Sequence, residues 1–342
     1  MTSNLEDLNI GMVTQFPLDY MHLVLLGIMK KLLQFWIKGK HNVRMNATQI
    51  TLISSLLSMS SFLPKEFARK PRKLDEVDRF KATELRQLLL YTGPVIFFKK
   101  LSHDKYIHFL SLSVAIRILC SKEYRVQLLD YAHSLLLYFV ENCGTLYGRQ
   151  HISCNVHNLV HLCYYVKLGG VLDKFSAFKF ENYMQKIKSK MKSSSRPLEQ
   201  LVNRCIEEDN LNIINVEKIY PILKFRIING KKKIKSVQCK DFYLSTKSAD
   251  NCCSLLNGTT ILLTKIYLQN EQIYVTGKKY LTVKSYFHIP CDSLNIGIKQ
   301  INELQYNLIT VPLSDIKSKC VKLPLCNEEA VILPLLHQQE IL

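Results

Sequence analysis

The spacing of apolar residues divides the chain into two parts of different periodicity. Over roughly the first 215 residues, apolar positions recur every three or four residues, which is the pattern of amphipathic helices. After about residue 218, Ile, Val, Tyr and Thr collect in short runs separated by turn residues, which is the pattern of β-strands. The sequence therefore predicts a mainly α N-terminal part, residues 1–215, followed by a small β-rich C-terminal domain, residues 216–342.

The helical periodicity can be assigned to individual segments. Helices are predicted over residues 19–39, 47–60, 80–91, 94–101, 105–119, 123–142, 155–168, 178–192 and 198–208. Residues 68–78 carry four Lys and Arg and are predicted to form a basic surface loop. Gly169 and Gly170 should end the helix that precedes them, because glycine readily adopts the backbone conformation that follows a helix.

The β-rich part shows five strand patterns, at residues 220–226, 259–267, 272–275, 280–287 and 306–311. Asn229-Gly230 predicts a tight hairpin turn between the first of these and a Lys-rich strand. No internal repeat or low-complexity segment is visible. We expect this part to form a small barrel that contacts DNA or a partner protein, the alternative being a domain that only packs against the helices.

The charge balance indicates the class of partner. The chain has 46 Lys and Arg against 28 Asp and Glu, for a formal net charge of +18. Such an excess favours polyanionic partners, nucleic acid before a membrane surface, although a basic surface kept for solubility has the same composition. We expect DNA as the partner, and neither a membrane nor a small-molecule substrate.

Cysteine usage and hydropathy indicate the compartment. The 11 Cys show no disulfide framework spacing, and no charged-then-apolar signal segment precedes residue 20. The longest apolar run, residues 23–33, contains two lysines and is shorter than the roughly 20 residues that a bilayer span needs. These features predict a nuclear or cytoplasmic protein that is not secreted.

Asp19 and His22 form the first group of residues that could carry chemistry. Asp19 stands at a predicted helix start and His22 lies one turn further on. An aspartate at this position commonly caps free backbone amides, so a structural role is the alternative to a role in a site.

His157 and His161 form the second group. Residues four apart lie on one helical face, so the two imidazoles can be presented to one tetrahedral zinc ion. They would supply half of a four-ligand site, and the sequence contains no CxxC to complete it. The alternative is a pair of polar residues beside a buried apolar stripe.

Glu181 begins the third group, in the first turn of a predicted helix with an apolar stripe that includes Phe180 and Met184. A carboxylate ahead of a cationic stripe suits metal-dependent chemistry on a nucleic-acid backbone, while a solvated basic face is the alternative. The candidate DNA-binding residues that follow Glu181 are Lys186, Lys188, Lys190, Lys192 and Arg196.

Taken in order, these segments resemble the transposases of CACTA-type (En/Spm-like) DNA transposons. Residues 16–23 resemble the DxMH segment of that family, residues 156–162 its paired-His segment, and residues 175–182 with 196–199 its terminal acid segment. Residues 80–94 resemble the helical region that follows the DxMH segment in animal members. The resemblance covers roughly residues 10–210 and is specific as an ordered set, whereas each motif alone is weak. The β-rich part is similar to the C-terminal extensions of these proteins with less specificity.

The resemblance implies a ribonuclease-H-like DDE core that a helical insertion interrupts. Such cores hold two Mg²⁺ or Mn²⁺ ions on Asp, Asp and Glu, and the metals stabilise the attacking and leaving oxygens of a phosphodiester. Glu181 matches the third of these carboxylates. Asp19 and His22 match the segment after the second Asp and are implied to shape the site. His157 and His161 match one half of a structural zinc site whose other half is a CxxC.

The sequence departs from the family pattern in one large respect. The first two catalytic Asp and the CxxC precede the DxMH segment in the family, but here that segment begins at residue 19. We therefore expect a truncated transposase-derived chain with an incomplete core, which binds DNA, is inactive alone and forms a homodimer. The alternatives are a domesticated, non-catalytic DNA-binding protein and a protein-interaction module.

Overall fold

A helical body is followed in the chain by two β-sheets that pack against it. The computed structural model describes residues 8, 10, 11, 13–210, 218–228, 230–325 and 329–336. A π-helix spans Met21–Met29 and runs directly into α1. The α-helices in the described residues are α1 Lys30–Lys38, α2 Ala47–Ser58, α3 Ala82–Gln87, α4 Gly93–Ile96, α5 His103–Cys120, α6 Tyr124–Tyr147, α7 Cys154–Asn158, α8 Leu162–Gly169, α9 Phe178–Lys190 and α10 Pro197–Asn210.

The strands are all paired antiparallel. They are β1 Ile222–Ile228, β2 Lys231–Gln238, β3 Tyr243–Ser245, β4 Cys252–Leu255, β5 Thr260–Gln269, β6 Gln272–Lys284, β7 Lys299–Pro312, β8 Ile316–Pro324 and β9 Ala330–Pro334. Strands β1, β2 and β3 form a three-stranded sheet in that order. The other six close into a barrel in the order β4-β5-β6-β7-β9-β8, so no edge of that sheet is left unpaired.

The helix that begins at Met21 lies in the centre of the helical body. Its first nine residues are almost entirely apolar and most of them are buried, as expected for a helix that is surrounded on all sides. Gly27 brings this helix close to α7, because a Cβ atom at that position would lie 2.7 Å from the side-chain nitrogen of Asn155. The first predicted helix and the paired-His segment are therefore in direct contact.

Helices and barrel share one hydrophobic core. Side chains from the helices form a single buried cluster with residues of the barrel part, including Phe287, Ile298 and Val331. Arg117 of α5 is fully buried at this junction and donates to the backbone carbonyls of Leu90, Ile296 and Pro334 at 3.2, 3.1 and 3.0 Å. Satisfying a buried guanidinium in this way fixes the barrel against α5.

A buried ion triad makes a second connection. The Nζ of Lys319 on β8 lies 2.6 Å from Glu66 Oε2 and 2.6 Å from Asp250 Oδ1, and the Lys319 side chain is 0% exposed. The other oxygen of Glu66 accepts from the backbone N–H of Tyr243 on β3 at 2.7 Å. The triad therefore joins the barrel, the three-stranded sheet and the loop that precedes residue 70 of the helical body.

The predicted order of a helical part followed by a β-rich part with a barrel is confirmed. The predicted helix at 155–168 is wrong as one element, because α7 and α8 are separated by a 3₁₀ turn at Leu159–His161. The strands predicted at 272–275 and 280–287 are largely one long strand, β6. The predicted boundary between residues 215 and 216 lies outside the described residues, as does Asn229 of the predicted hairpin, whose two strands pair as expected.

Replacing Lys319 by Met should strongly destabilise the fold, because it leaves two buried carboxylates without their cation. We expect a loss of about 3–5 kcal/mol in the free energy of unfolding, measured by urea denaturation. Lys317→Met is the matched control on the same strand, since its 2.7 Å ion pair with Glu123 is about half exposed and should contribute less than about 1 kcal/mol. Equal losses in the two variants would contradict a structural role for the triad.

Candidate functional site

Asp19 joins the beginnings of two helices that are distant in sequence. Its Oδ1 accepts from the backbone N–H of Met21 at 3.2 Å and from that of Ala177, just before α9, at 2.8 Å. Its Oδ2 accepts from the backbone N–H of His22 at 3.0 Å. The aspartate therefore caps the π-helix, as an acid at a helix start is expected to do, and also holds the segment that leads into α9.

His22 lies between two carboxylates. Its Nδ1 is 2.5 Å from Asp19 Oδ2, and its Nε2 is 3.7 Å from Glu181 Oε1 on α9. The His22 and Glu181 side chains are 60% and 59% exposed, whereas that of Asp19 is 26% exposed. The fold thus brings the three predicted catalytic residues together in the order Asp19, His22, Glu181, with the imidazole open to solvent.

The electrostatics of Asp19 favour its ionised form. Burial alone would raise the pKa of Asp19, but hydrogen bonds from Ala177, from the backbone and ring of His22 and from Met21 together lower it below the usual value of 3.8. An ionised Asp19 retains the proton on Nδ1 of His22, which leaves Nε2 as the ring nitrogen that faces Glu181. The charge on Asp19 therefore fixes the orientation of the His22 ring.

The same hydrogen bonds leave Asp19 unsuited to bind a metal. A carboxylate has about four acceptor positions, and Asp19 uses two on each oxygen for Met21, Ala177 and the two nitrogens of His22. Within the described part of the chain, no three His, Cys, Asp or Glu side chains converge where an ion could sit. The residues present therefore do not fit a two-metal centre, and Glu181 is the one carboxylate of the cluster with a free oxygen.

A cleft of about 550 Å³ opens beside Glu181. On one side it is lined by α9, with Glu181 and Asn182, and on the other by residues 66–69, residues 78–83 and α3. Its basic residues are Lys30, Arg69, Arg79, Lys81 and Arg86, against the acidic Glu66, Asp78 and Glu181. Glu66 and Asp78 pair with Lys319 and Lys38, and Arg79 and Arg86 pair with Glu76 and Asp173. Lys30, Arg69 and Lys81 still outnumber Glu181, so the cleft favours an anion.

Arg86 holds α9 against the wall of this cleft. Its NH1 lies 3.2 Å from Asp173 Oδ1, and its guanidinium lies over the ring of Phe178 at 4.6 Å from the ring centre. Phe178 is the one residue of α9 recorded as buried. Sequence reasoning missed Arg86, although an arginine within the apolar run of residues 82–96 was a usable signal.

The rest of α9 projects from the body together with α10. The apolar stripe of α9 is largely in solvent, with Phe180 71% and Met184 60% exposed. The reason is that only the first turn of α9 reaches the core, while its second half contacts α10.

The five predicted DNA-binding residues lie on this helical hairpin and differ in their availability. Lys186, Lys188 and Lys192 are exposed and form no ion pair with described residues. Lys190 instead binds Glu208 of α10 at 2.7 Å, and its side chain is 11% exposed. Arg196 is exposed and pairs with Glu199 at 3.3 Å.

The two paired histidines lie side by side on the surface. His157 lies in the last turn of α7 and His161 ends the 3₁₀ turn that follows it, and both are exposed. Their ring centres are 5.5 Å apart and the rings are inclined at 72°. Two imidazoles supply at most two of the four ligands of a structural zinc ion, and no third ligand accompanies them among the described side chains.

Replacing Asp19 by Ala should cost about 1–2 kcal/mol of stability at neutral pH, since it removes the cap and the link to Ala177. The pKa of Asp19 is lower in the folded state than in the unfolded chain, so its charge stabilises the fold above about pH 3.8 and this contribution is lost as the pH falls through the folded pKa. Asp19→Asn, which retains one acceptor, should cost less than Asp19→Ala. The measurement is the free energy of unfolding of both variants from neutral to acidic pH. An Asp19→Ala variant as stable as the wild type would contradict the role of this residue.

The β-rich part is the region of the chain that matches a known protein family. Residues 221–335 match the sequence profile of a family described as a domain of unknown function (DUF8592). The matched region contains the three-stranded sheet and the barrel, whereas Asp19, His22 and Glu181 lie outside it. Neither the curated proteins nor the solved structures contain a match to the chain. None of the helices in the described residues is long and apolar enough to span a membrane.

Proposed function

We propose that this chain is a transposase-derived protein of the CACTA type that binds DNA and does not cleave it alone. The observation that carries the proposal is the cluster of Asp19, His22 and Glu181 beside an anion-favouring cleft. The resemblance to transposases requires the DxMH and terminal acid segments to meet at one site. A hydrogen bond from Ala177 to Asp19, across 158 residues of sequence, makes them meet here.

The arrangement of the carboxylates supports binding without cleavage. Transposases of this kind use two divalent metals on three carboxylates, and in-line displacement needs both ions. Asp19 is saturated by hydrogen bonds, so Glu181 alone would face Mg²⁺ or Mn²⁺. One exposed carboxylate does not hold two divalent ions. The proposal is therefore that the helical part descends from the ribonuclease-H-like core of a transposase.

The cations around Glu181 supply what DNA binding requires. Arg69, Arg79 and Lys81 line the cleft, and Lys186, Lys188 and Lys192 follow along α9. Exposed cations bind backbone phosphates independently of base sequence and displace counterions, which contributes favourable free energy at low salt. DNA binding implies a nuclear protein, and transposition at two element ends implies a homodimer.

A protein-interaction module is the second candidate function. The exposed apolar side chains of α10, Leu198, Val202 and Ile206, follow one another at four-residue spacing and are 76%, 53% and 51% exposed. Such a stripe is the surface by which one helix packs against another. This candidate replaces the first if the protein does not bind DNA even at low salt.

DNA affinity should fall steeply with salt, and the exposed lysines of α9 should carry part of that dependence. We expect Lys188→Gln to lower the slope of log K against log salt by about 0.9, as measured by fluorescence anisotropy on duplex DNA. Lys190→Gln is the matched control, with the same change of charge two residues away on the same helix, and should leave the slope nearly unchanged because Lys190 is paired. No metal-dependent nicking of supercoiled DNA is expected. Nicking that Glu181→Gln abolishes would show that the chain is an active nuclease.

Zinc should not remain bound to the purified chain, because His157 and His161 supply two ligands. Elemental analysis after dialysis is expected to find far less than one zinc ion per chain, and the double variant His157→Ala, His161→Ala should match the wild type in zinc content and thermal stability. One zinc per chain that disappears in the double variant would show that a complete site exists.

A further inference from the structure

Strands β1 and β2 form a strongly basic two-stranded ribbon at the edge of the three-stranded sheet. Strand β3 pairs with residues 236–238 of β2, and among the described residues no third strand pairs with the rest of the ribbon. Residues 222–238 contain six Lys and Arg and no Asp or Glu. The cations with described side chains are all exposed, namely Lys224, Arg226, Lys232, Lys233 and Lys235.

The pairing register places like charges opposite each other. Arg226 is the direct cross-strand partner of Lys233, and like charges at such positions destabilise a sheet. The cations of the ribbon form no ion pair within the described residues, and Lys232 instead lies over the ring of Phe225 at 4.3 Å from the ring centre. An anion bound between the strands would relieve this repulsion.

The ribbon also exposes apolar surface among its cations. Ile227 is 79% exposed and Phe225 is 43% exposed, while Leu223 and Ile234, nearer the barrel, pack against the core that contains Val237. The outer part of the ribbon therefore offers both charge and apolar contact to a partner, and its inner part is fixed to the body.

We propose that the β1–β2 ribbon binds double-stranded DNA by entering its major groove. The major groove of B-DNA is about 12 Å wide and admits a two-stranded ribbon, and the three residue pairs beyond Phe225 extend the ribbon by about 10 Å. The major groove of an RNA duplex is too narrow for side chains to read, so the ribbon distinguishes DNA from RNA. This inference rests on the proposed DNA-binding function and assigns to it a contact outside the helical part.

The root of the ribbon lies next to the cleft beside Glu181. Tyr243 of β3 donates to Glu66, and Glu66 and Phe67 also line that cleft. A bulge between Lys224 and Phe225, where Lys235 is the extra residue on β2, increases the local twist of the ribbon. The ribbon is therefore attached to the wall of the site that α9 closes on the other side.

The test compares two triple variants of the full chain. The ribbon variant is Lys224→Gln, Arg226→Gln, Lys233→Gln, and the control removes three exposed lysines elsewhere, Lys40→Gln, Lys167→Gln, Lys284→Gln. The probe is a DNA duplex of two helical turns, with an RNA duplex of the same sequence beside it. Because all six residues are exposed, circular dichroism and the thermal midpoint should be unchanged in both variants.

Three lost phosphate contacts should lower the salt slope by about 2.7 in the ribbon variant, whereas the control should keep the wild-type slope. Between about 50 and about 200 mM salt, the wild type should then lose about 40-fold more affinity than the ribbon variant. A variant that keeps the positive charges, Lys224→Arg with Lys233→Arg, should retain wild-type binding.

The inference is overturned if the ribbon variant matches the control, or if the RNA duplex binds as tightly as DNA. In the first case a reduced slope for Lys188→Gln would still leave the proposed function in place. The absence of any DNA binding by the wild-type chain at low salt would instead overturn the proposed function itself.

Discussion

The buried contact of Lys319 with Glu66 and Asp250 determines how the functional surfaces are arranged. An ammonium in an apolar interior is stable only with its carboxylates in place, so the three residues must come together whenever the chain folds. Glu66 at the same time binds the backbone of β3 and lines the cleft beside Glu181. One electrostatic requirement therefore sets the position of the barrel, of the basic ribbon and of one wall of the cleft.

Asp19 shows a different use of a partly buried acid. Asp19 directs both carboxylate oxygens to backbone and imidazole donors. Four donors stabilise its charge and fix the distance between the π-helix and α9, and they leave no acceptor for a cation. The same hydrogen bonds thus position Glu181 and exclude Asp19 from metal binding.

Local pattern was sufficient to predict much of the fold. Strong periodicity predicted α5 to within about two residues, and Asn-Gly chemistry predicted the β1–β2 hairpin. Partners distant in sequence could not be predicted, because alternation along β8 gives Lys317 and Lys319 the same signature, and the partners of Lys319 are 69 and 253 residues away. For the same reason, the apolar periodicity of α9 did not indicate that only Phe178 reaches the core.

The π-helix at Met21–Met29 makes the position of His22 depend on the number of residues in this segment as well as on their identity. Its hydrogen bonds skip one residue more than those of an α-helix, so the angular position of His22 relative to α1 depends on how many residues lie between them. Deletion of a single residue would allow this stretch to wind as an ordinary α-helix, and His22 would rotate away from Glu181 while Trp36 stayed in the core. Insertions and deletions in this short segment should therefore be rarer among related chains than substitutions.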